Sequence, residues 1–220
     1  MRSAEGSPVP ATAPLGQLTL RLYTDFVCPF CFIAEASTVP RLLRELDLTL
    51  EWHGFELHPE TPPGGMPLSA LFPGVDLRLL HERTRRFGAR FGVTGFDPPD
   101  RLQSTRRALA IAELARERGK LEAFRGAAFD GHWRRGANLE ADEDLRAIAA
   151  TAGLDPAEAL RAADDPALLA RVDARQDEAR AEGVRGIPTF IIGDDAVVGC
   201  QPFGVLHAFA LEAGARPRGT

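Results

Sequence analysis

Cysteine is scarce in this chain: three in 220 residues. A secreted domain stapled by disulfides carries them far more densely, so that class is excluded. No apolar run approaches the ~18 residues of a membrane span. The opening stretch, MRSAEGSPVPATAPLGQ, has no apolar h-region, so residues 1–16 read as a flexible tail and not as a secretory signal. The expected compartment is the reducing cytoplasm. A sustained basic face is missing too. Arginines gather at Arg83, Arg85 and Arg86, at Arg106 and Arg107, and at Arg134 and Arg135, but acids are interspersed and the formal net charge is −5. Nucleic acid is therefore not an expected partner, and neither is a membrane.

What is present is enough for one large domain, or for a core carrying an insertion, with an ordinary 45% of hydrophobic residues. Leu18 to Tyr23 reads as a short strand. Beyond Pro29 the apolar spacing turns helical through Ile33, Ala36, Leu42, Leu43 and Leu46, with a kink expected at Pro40. Leu48 to Phe55 is a second strand, and strand–helix–strand of these lengths predicts two parallel strands. HPETPPGGMP then breaks regular structure, and helix is expected from there to Gly183. Asp155-Pro156-Ala157-Glu158 is a capping-box start, and Asp165-Pro166 opens another helix. Pro188 to Ile192 and Ala196 to Val198 are strands joined by the hairpin signal Gly193-Asp194-Asp195, and Val205 to Ala213 is a closing helix. The helical block of roughly a hundred residues reads as an insertion, because the segments flanking it complete one sheet.

Two of the three cysteines fall together, in Cys28-Pro29-Phe30-Cys31. The pair sits between a strand and the start of a helix, where Pro29 suits the first turn. Free amides and the positive end of the helix dipole favour a thiolate there. Cys31 falls one turn deeper on the same helical face. A Cα separation of roughly 5.5 Å suits a disulfide, so one sulfur can attack while the other resolves the mixed disulfide. Two other readings stay open: packed core thiols, and half of a zinc site. The zinc reading lacks a second closely spaced Cys/His pair, so no metal is expected. His53, His58, His81, His132 and His207 are scattered and read as structural, and Trp133 with Phe129 reads as core of the helical block.

Together these residues resemble a known family, the DsbA-like (FrnE-like) oxidoreductases of the thioredoxin fold. The resemblance rests on Asp25 with the CPFC stretch, on Phe55-Glu56-Leu57 followed by Pro59, on Gly183-Val184 with Gly186-Ile187-Pro188-Thr189-Phe190, and on Gly199 with Gln201. It covers roughly Leu18 to Ala213. It implies an α/β thioredoxin-like fold, a βαβ…ββα mixed sheet divided between residues 17–60 and 183–214, with a large helical insertion at 61–182 and a tail at 215–220. It implies that Cys28 is the nucleophile and Cys31 the resolving thiol. It further implies that Pro188 is cis, that Ile187 offers its backbone to an extended substrate, and that Pro29, Phe30 and Thr189 border the same groove. Phe30 and Phe32 are expected to divide between an exposed contact and the core.

The chain departs from the family in two places. Related folds carry a buried acid six residues before the first cysteine, where this chain has Leu22. If a proton acceptor is needed, Glu56 is the better candidate, against a plain surface or capping carboxylate. The residue before Gln201 is Cys200 where the family has a small non-thiol residue, and it reads either as a third reactive thiol or as an inert one. Arg185 could support a thiolate or a substrate carboxylate, or be an ordinary surface arginine.

The leading expectation is a thiol–disulfide oxidoreductase with no bound cofactor. Glutathione or a dithiol reductant would be its co-substrate, and a disulfide- or dithiol-bearing protein or small molecule its substrate. A recycling reductase would be a further partner, and the chain would act as monomer or homodimer. The fold also resembles 2-hydroxychromene-2-carboxylate isomerases and kappa-class glutathione transferases. A glutathione-dependent isomerase or transferase acting on a small aromatic substrate is therefore the alternative, although those enzymes put serine where Cys28 stands. A peptide-binding chaperone without turnover is the third reading.

Overall fold

The computed structural model describes residues 18–219. The expected N-terminal tail therefore lies outside the described residues. The chain runs β1 (Leu18–Thr24), α1 (Pro29–Ala36), α2 (Thr38–Glu45) and β2 (Leu48–Gly54). The middle block holds β3 (Met66–Pro67), α3 (Leu68–Leu71), α4 (Leu77–Arg90), β4 (Arg101–Leu102) and α5 (Arg106–Glu117). It continues through α6 (Leu121–Arg135), α7 (Asp142–Thr151), α8 (Pro156–Ala163) and α9 (Pro166–Ala181). The chain closes with β5 (Thr189–Ile192), β6 (Asp195–Val198) and α10 (Phe203–Glu212).

The main sheet has the order β2-β1-β5-β6. β1 and β2 are parallel, from Leu18 opposite Leu48 to Thr24 opposite Gly54, as a strand–helix–strand crossover requires. β5 runs antiparallel to β1 and turns into β6 through Gly193 and Asp194, with Gly193 at φ +60° where a side chain would be strained. The central strand β1 is buried on both faces at its C-terminal end, where Leu22, Tyr23 and Thr24 are all covered. This is the thioredoxin-like α/β fold with its helical insertion.

Four local expectations need correction. The single kinked helix is two helices, and the break falls at Ser37 rather than at Pro40. Pro40 has no N–H for the Ala36 carbonyl and its ring would press on it, so the chain leaves helical geometry one turn earlier. Ser37 takes φ −134°, and its hydroxyl bonds the Ile33 carbonyl at 2.5 Å. The block after residue 60 is not wholly helical: β3 and β4 form a small antiparallel ribbon, too short to leave a periodic signature. The capping box at Asp155 is half made. Its carboxylate accepts from the Glu158 amide at 2.6 Å, but the Glu158 side chain pairs with Arg118 instead of returning to the cap. Residues 215–219 are not a loose tail. Ala215 is buried, the Asp47 amide bonds Arg216 O at 2.8 Å, and the Arg218 amide bonds Glu45 O at 2.8 Å.

An aromatic cluster joins the sheet to the helical block. Phe26 packs on Trp52, Phe124 and Phe129, while Phe32 stacks on Trp133 with centroids 5.6 Å apart. Trp133 Nε1 donates to Phe26 O at 2.7 Å. Trp133 and Phe129 thus lie at the junction of the two parts and are not core of the helical block alone.

Candidate active site

β1 delivers the chain to a turn in which the Cys28 amide bonds Asp25 O at 3.1 Å. Cys28 is the N-cap of α1 in extended geometry (φ −85°, ψ 116°), Pro29 follows as the first helical residue, and the Phe32 amide closes the first helical bond on Cys28 O at 3.0 Å. The amides of Phe30 and Cys31 are therefore left over at the helix start, beside the Cys28 side chain. Cys31 is fully buried, Cys28 nearly so, and both thiols are free. Burial first, then the Cys28 thiol beside it, pushes the Cys31 pKa well up.

From across the sheet, β5 brings its leading residues to the same place. Cys28 Sγ lies 4.0 Å from Ile187 O. The Ile187–Pro188 peptide is cis. Thr189 is buried, its hydroxyl donating to Gly186 O at 2.6 Å, and the Gly199 amide bonds Pro188 O at 2.7 Å. That bond sets Cys200, the next residue, close enough for a negative charge on Cys28 to act on it. Burial, with that charge added, pushes the Cys200 thiol up to about 12. Gln201 donates from Nε2 to Val198 O at 2.9 Å and accepts from Thr38 at 3.3 Å, so it fixes the loop after β6.

Two candidate residues point elsewhere. Glu56 faces Arg106 at 3.6 Å, Arg106 itself being gripped by both oxygens of Asp173 at 2.6 and 2.7 Å. The Glu56 backbone is clamped in both directions by the Gln176 amide group at 2.9 Å. Burial raises the Glu56 carboxyl and Arg106 opposes it. Arg185 turns to the end of α9, donating to Arg180 O at 2.6 Å and Val184 O at 3.1 Å.

The acid beside the cysteine pair is Asp25. It is fully buried and accepts from the Leu57 amide at 2.7 Å. Burial pushes its pKa up to about 6, with the Leu57 amide and Thr105 pulling the other way. Its charge acts on Cys31. Sequence reasoning placed Asp25 in the motif but named Glu56 as the better candidate if a proton acceptor is needed, against a plain surface or capping carboxylate. The available signal was its position, one residue past a strand buried on both faces, where an acid has no route to solvent.

Phe30 is 42% exposed and meets Phe87 edge-on at 5.1 Å, whereas Phe32 is buried at 1%. Beside Cys28 opens a cavity of ≈ 260 Å³, walled by Phe30, Leu57, Leu71, Leu102, Trp133 and Ile187 among others. Among the described residues no three His, Cys, Asp or Glu side chains are grouped to hold a metal ion.

The family model of the DSBA-like thioredoxin domain matches residues 19–209. The chain belongs to this family. A probable DsbA oxidoreductase from Streptomyces coelicolor is 26% identical, with a TM-score of 0.78 and 89% of each chain covered. The uncharacterized protein YwbO of Bacillus subtilis is 24% identical over 182 residues, covering 82% of this chain and 89% of that one. In fold, the chain is also similar to the cytosolic disulfide reductase DsbM of Pseudomonas aeruginosa solved with glutathione, at 20% identity and TM-score 0.60. That alignment covers 89% of this chain and 98% of DsbM. A 2-hydroxychromene-2-carboxylate isomerase shares the fold at 19% identity and TM-score 0.70, over 89% of this chain and 95% of the isomerase. Oxidoreductases and an isomerase thus share this architecture. No described helix is long and apolar enough to cross a membrane.

Proposed function

We propose that the protein is a thiol–disulfide oxidoreductase in which Cys28 attacks and Cys31 resolves. The observation that carries this reading is the pairing of two free thiols across the first turn of α1, with the Ile187 carbonyl 4.0 Å from Cys28 Sγ. In the first step the Cys28 thiolate attacks one sulfur of a substrate disulfide, forming a mixed disulfide and releasing the other sulfur as a thiolate. In the second, Cys31 gives its proton to Asp25 and attacks Cys28 Sγ, so the Cys28–Cys31 disulfide forms and the second substrate thiolate leaves. Two electrons from two glutathione molecules, or from one dithiol, return the enzyme to its starting state. In a reducing compartment this cycle runs towards substrate reduction.

Asp25 suits this role: at neutral pH a carboxyl titrating at about 6 is mostly ionised and ready to accept a proton. The backbone of Ile187 and Thr189 would seat an extended substrate beside Cys28, with Pro29 and Phe30 forming the opposite rim. The test is a trapping experiment. Cys31→Ser protein mixed with glutathione disulfide should accumulate a Cys28–glutathione adduct visible by mass spectrometry, whereas the unaltered protein should release it. An adduct equally stable in both proteins would refute Cys31 as the resolving thiol.

A further inference from the structure

The cavity beside Cys28 contains more chemistry than the exchange reaction uses. Its walls are mostly apolar, with Leu57, Leu68, Leu71, Leu80 and Leu102 facing Phe30 and Trp133. An apolar cavity of ~150 Å³ admits benzene, and this one, at ≈ 260 Å³, has room for a larger ring system. Arg101 is on the wall, where its Nη2 donates to the Gly64 and Gly65 carbonyls at 2.9 and 3.2 Å. His58 is held by Glu60 at 3.0 Å.

Polar capacity comes from two histidines. His132, on α6, is 2% exposed and lines the cavity. Its Nδ1 faces Ala137 O at 3.2 Å, so that nitrogen carries the proton and Nε2 is a bare acceptor. Burial holds the ring neutral, with its pKa pushed down to about 4. Nε2 is buried with no hydrogen-bond partner. His81, on α4, lines the cavity too, with Nδ1 3.7 Å from Asp100 and Nε2 buried without a partner. An unpaired acceptor in an apolar wall costs stability unless a ligand supplies the donor.

We propose that this cavity is a specificity pocket for an aromatic ring bearing an N–H or O–H donor, bound with that donor on His132 Nε2 and its thiol or disulfide sulfur at Cys28. The proposal rests on the exchange reading for its sulfur chemistry, but ring binding is separable from it. The ring can belong to a free aromatic thiol or to a tryptophan or tyrosine next to a peptide's cysteine.

Calorimetry with indole and benzofuran, equal in shape but only indole carrying a donor, isolates the hydrogen bond without any sulfur. Indole should bind the reduced wild-type protein about tenfold tighter than benzofuran. His132→Asn keeps a donor for Ala137 O and removes the Nε2 acceptor, so the preference should disappear. Leu71→Trp fills the cavity and should abolish binding of both, with thermal unfolding verifying that each variant is folded. Equal affinities in the wild-type protein, or no binding of either ring, would overturn the proposal whatever the redox behaviour. A clear indole preference in a protein that fails to form a Cys28–Cys31 disulfide would leave the pocket standing and remove the exchange reading. For the source of the ring, the loss of reduction rate on His132→Asn is compared for bis(4-hydroxyphenyl) disulfide, a peptide disulfide flanked by tryptophan, and ring-free glutathione disulfide, each substrate against itself because an aryl thiolate leaves faster whatever the pocket does. The ring-bearing substrate that loses rate while glutathione disulfide does not identifies the source, and no selective loss for either contradicts the proposal.

Discussion

Asp25 is where the cost of the site is concentrated in a single side chain. Its carboxyl is fully buried and titrates at about 6 in the folded protein, against 3.8 for an unperturbed aspartate. The folded state therefore holds its proton more tightly, and the penalty grows as pH rises from about 3.8 to about 6 and is complete above that. Asp25→Asn should accordingly stabilise the protein by about 2–3 kcal/mol near pH 8 and by almost nothing near pH 3, measured by denaturant unfolding at the two pH values. The same substitution should slow resolution of the mixed disulfide by roughly 10²-fold or more, because Cys31 loses its proton acceptor. A variant destabilised near pH 8 would contradict the burial account. Glu56, the acid chosen from the sequence, is held by Arg106, so Glu56→Gln should leave the resolution rate within about threefold of wild type. The sequence displayed both carboxylates near strand ends. Which one turns towards the thiols depends on Leu57 and Gln176, residues 32 and 120 positions away from their partners, and no local pattern encodes that.

At the scale of elements, the site is held between α1 and α6. Glu35 on α1 is buried against Arg125 on α6 at 3.2 Å and accepts from Trp52 Nε1 at 3.0 Å. Arg125→Ala leaves that carboxylate unpaired and should cost about 3–5 kcal/mol near neutral pH. Burial already raises the Glu35 pKa, so protonation should recover part of the loss in acid, and unfolding at about pH 4 and about pH 8 would show the difference. The β3–β4 ribbon depends on Gly65 at φ +69°, where an added Cβ would sit 2.3 Å from Leu102 O. Gly65→Ala should lower stability by about 1–3 kcal/mol in chemical unfolding, and an unchanged midpoint would show that the ribbon yields at no cost. Elements with a strong period or cap, such as β1, β2, α8 and α9, were legible in the sequence. The ribbon was not, because two residues per strand establish no alternation. The Ser37 break was displaced from Pro40 because a proline disturbs the carbonyl four residues before it.

For the whole molecule, the helical block and the sheet share one continuous core, with Trp52 on β2 and Trp133 on α6 of the helical block. Unfolding is therefore expected to be one cooperative transition, with far-ultraviolet dichroism and tryptophan fluorescence giving the same midpoint. Two separated midpoints would mean that the insertion folds on its own. The βαβ…ββα order and the motif pairing Cys28 with Pro188 were legible at this scale because both depend on short, strongly marked segments. The cavity and its two bare histidine nitrogens were not, since they are made by α4, α6 and the ribbon meeting in space. The central claim, that Cys28 and Cys31 form an exchange couple, is tested most directly by a redox titration in graded dithiothreitol buffers, with acid quench, alkylation and mass spectrometry. The account predicts a Cys28–Cys31 disulfide with a midpoint roughly between −120 and −270 mV, with Cys200 alkylated throughout. Both thiols remaining free across the whole range would contradict it.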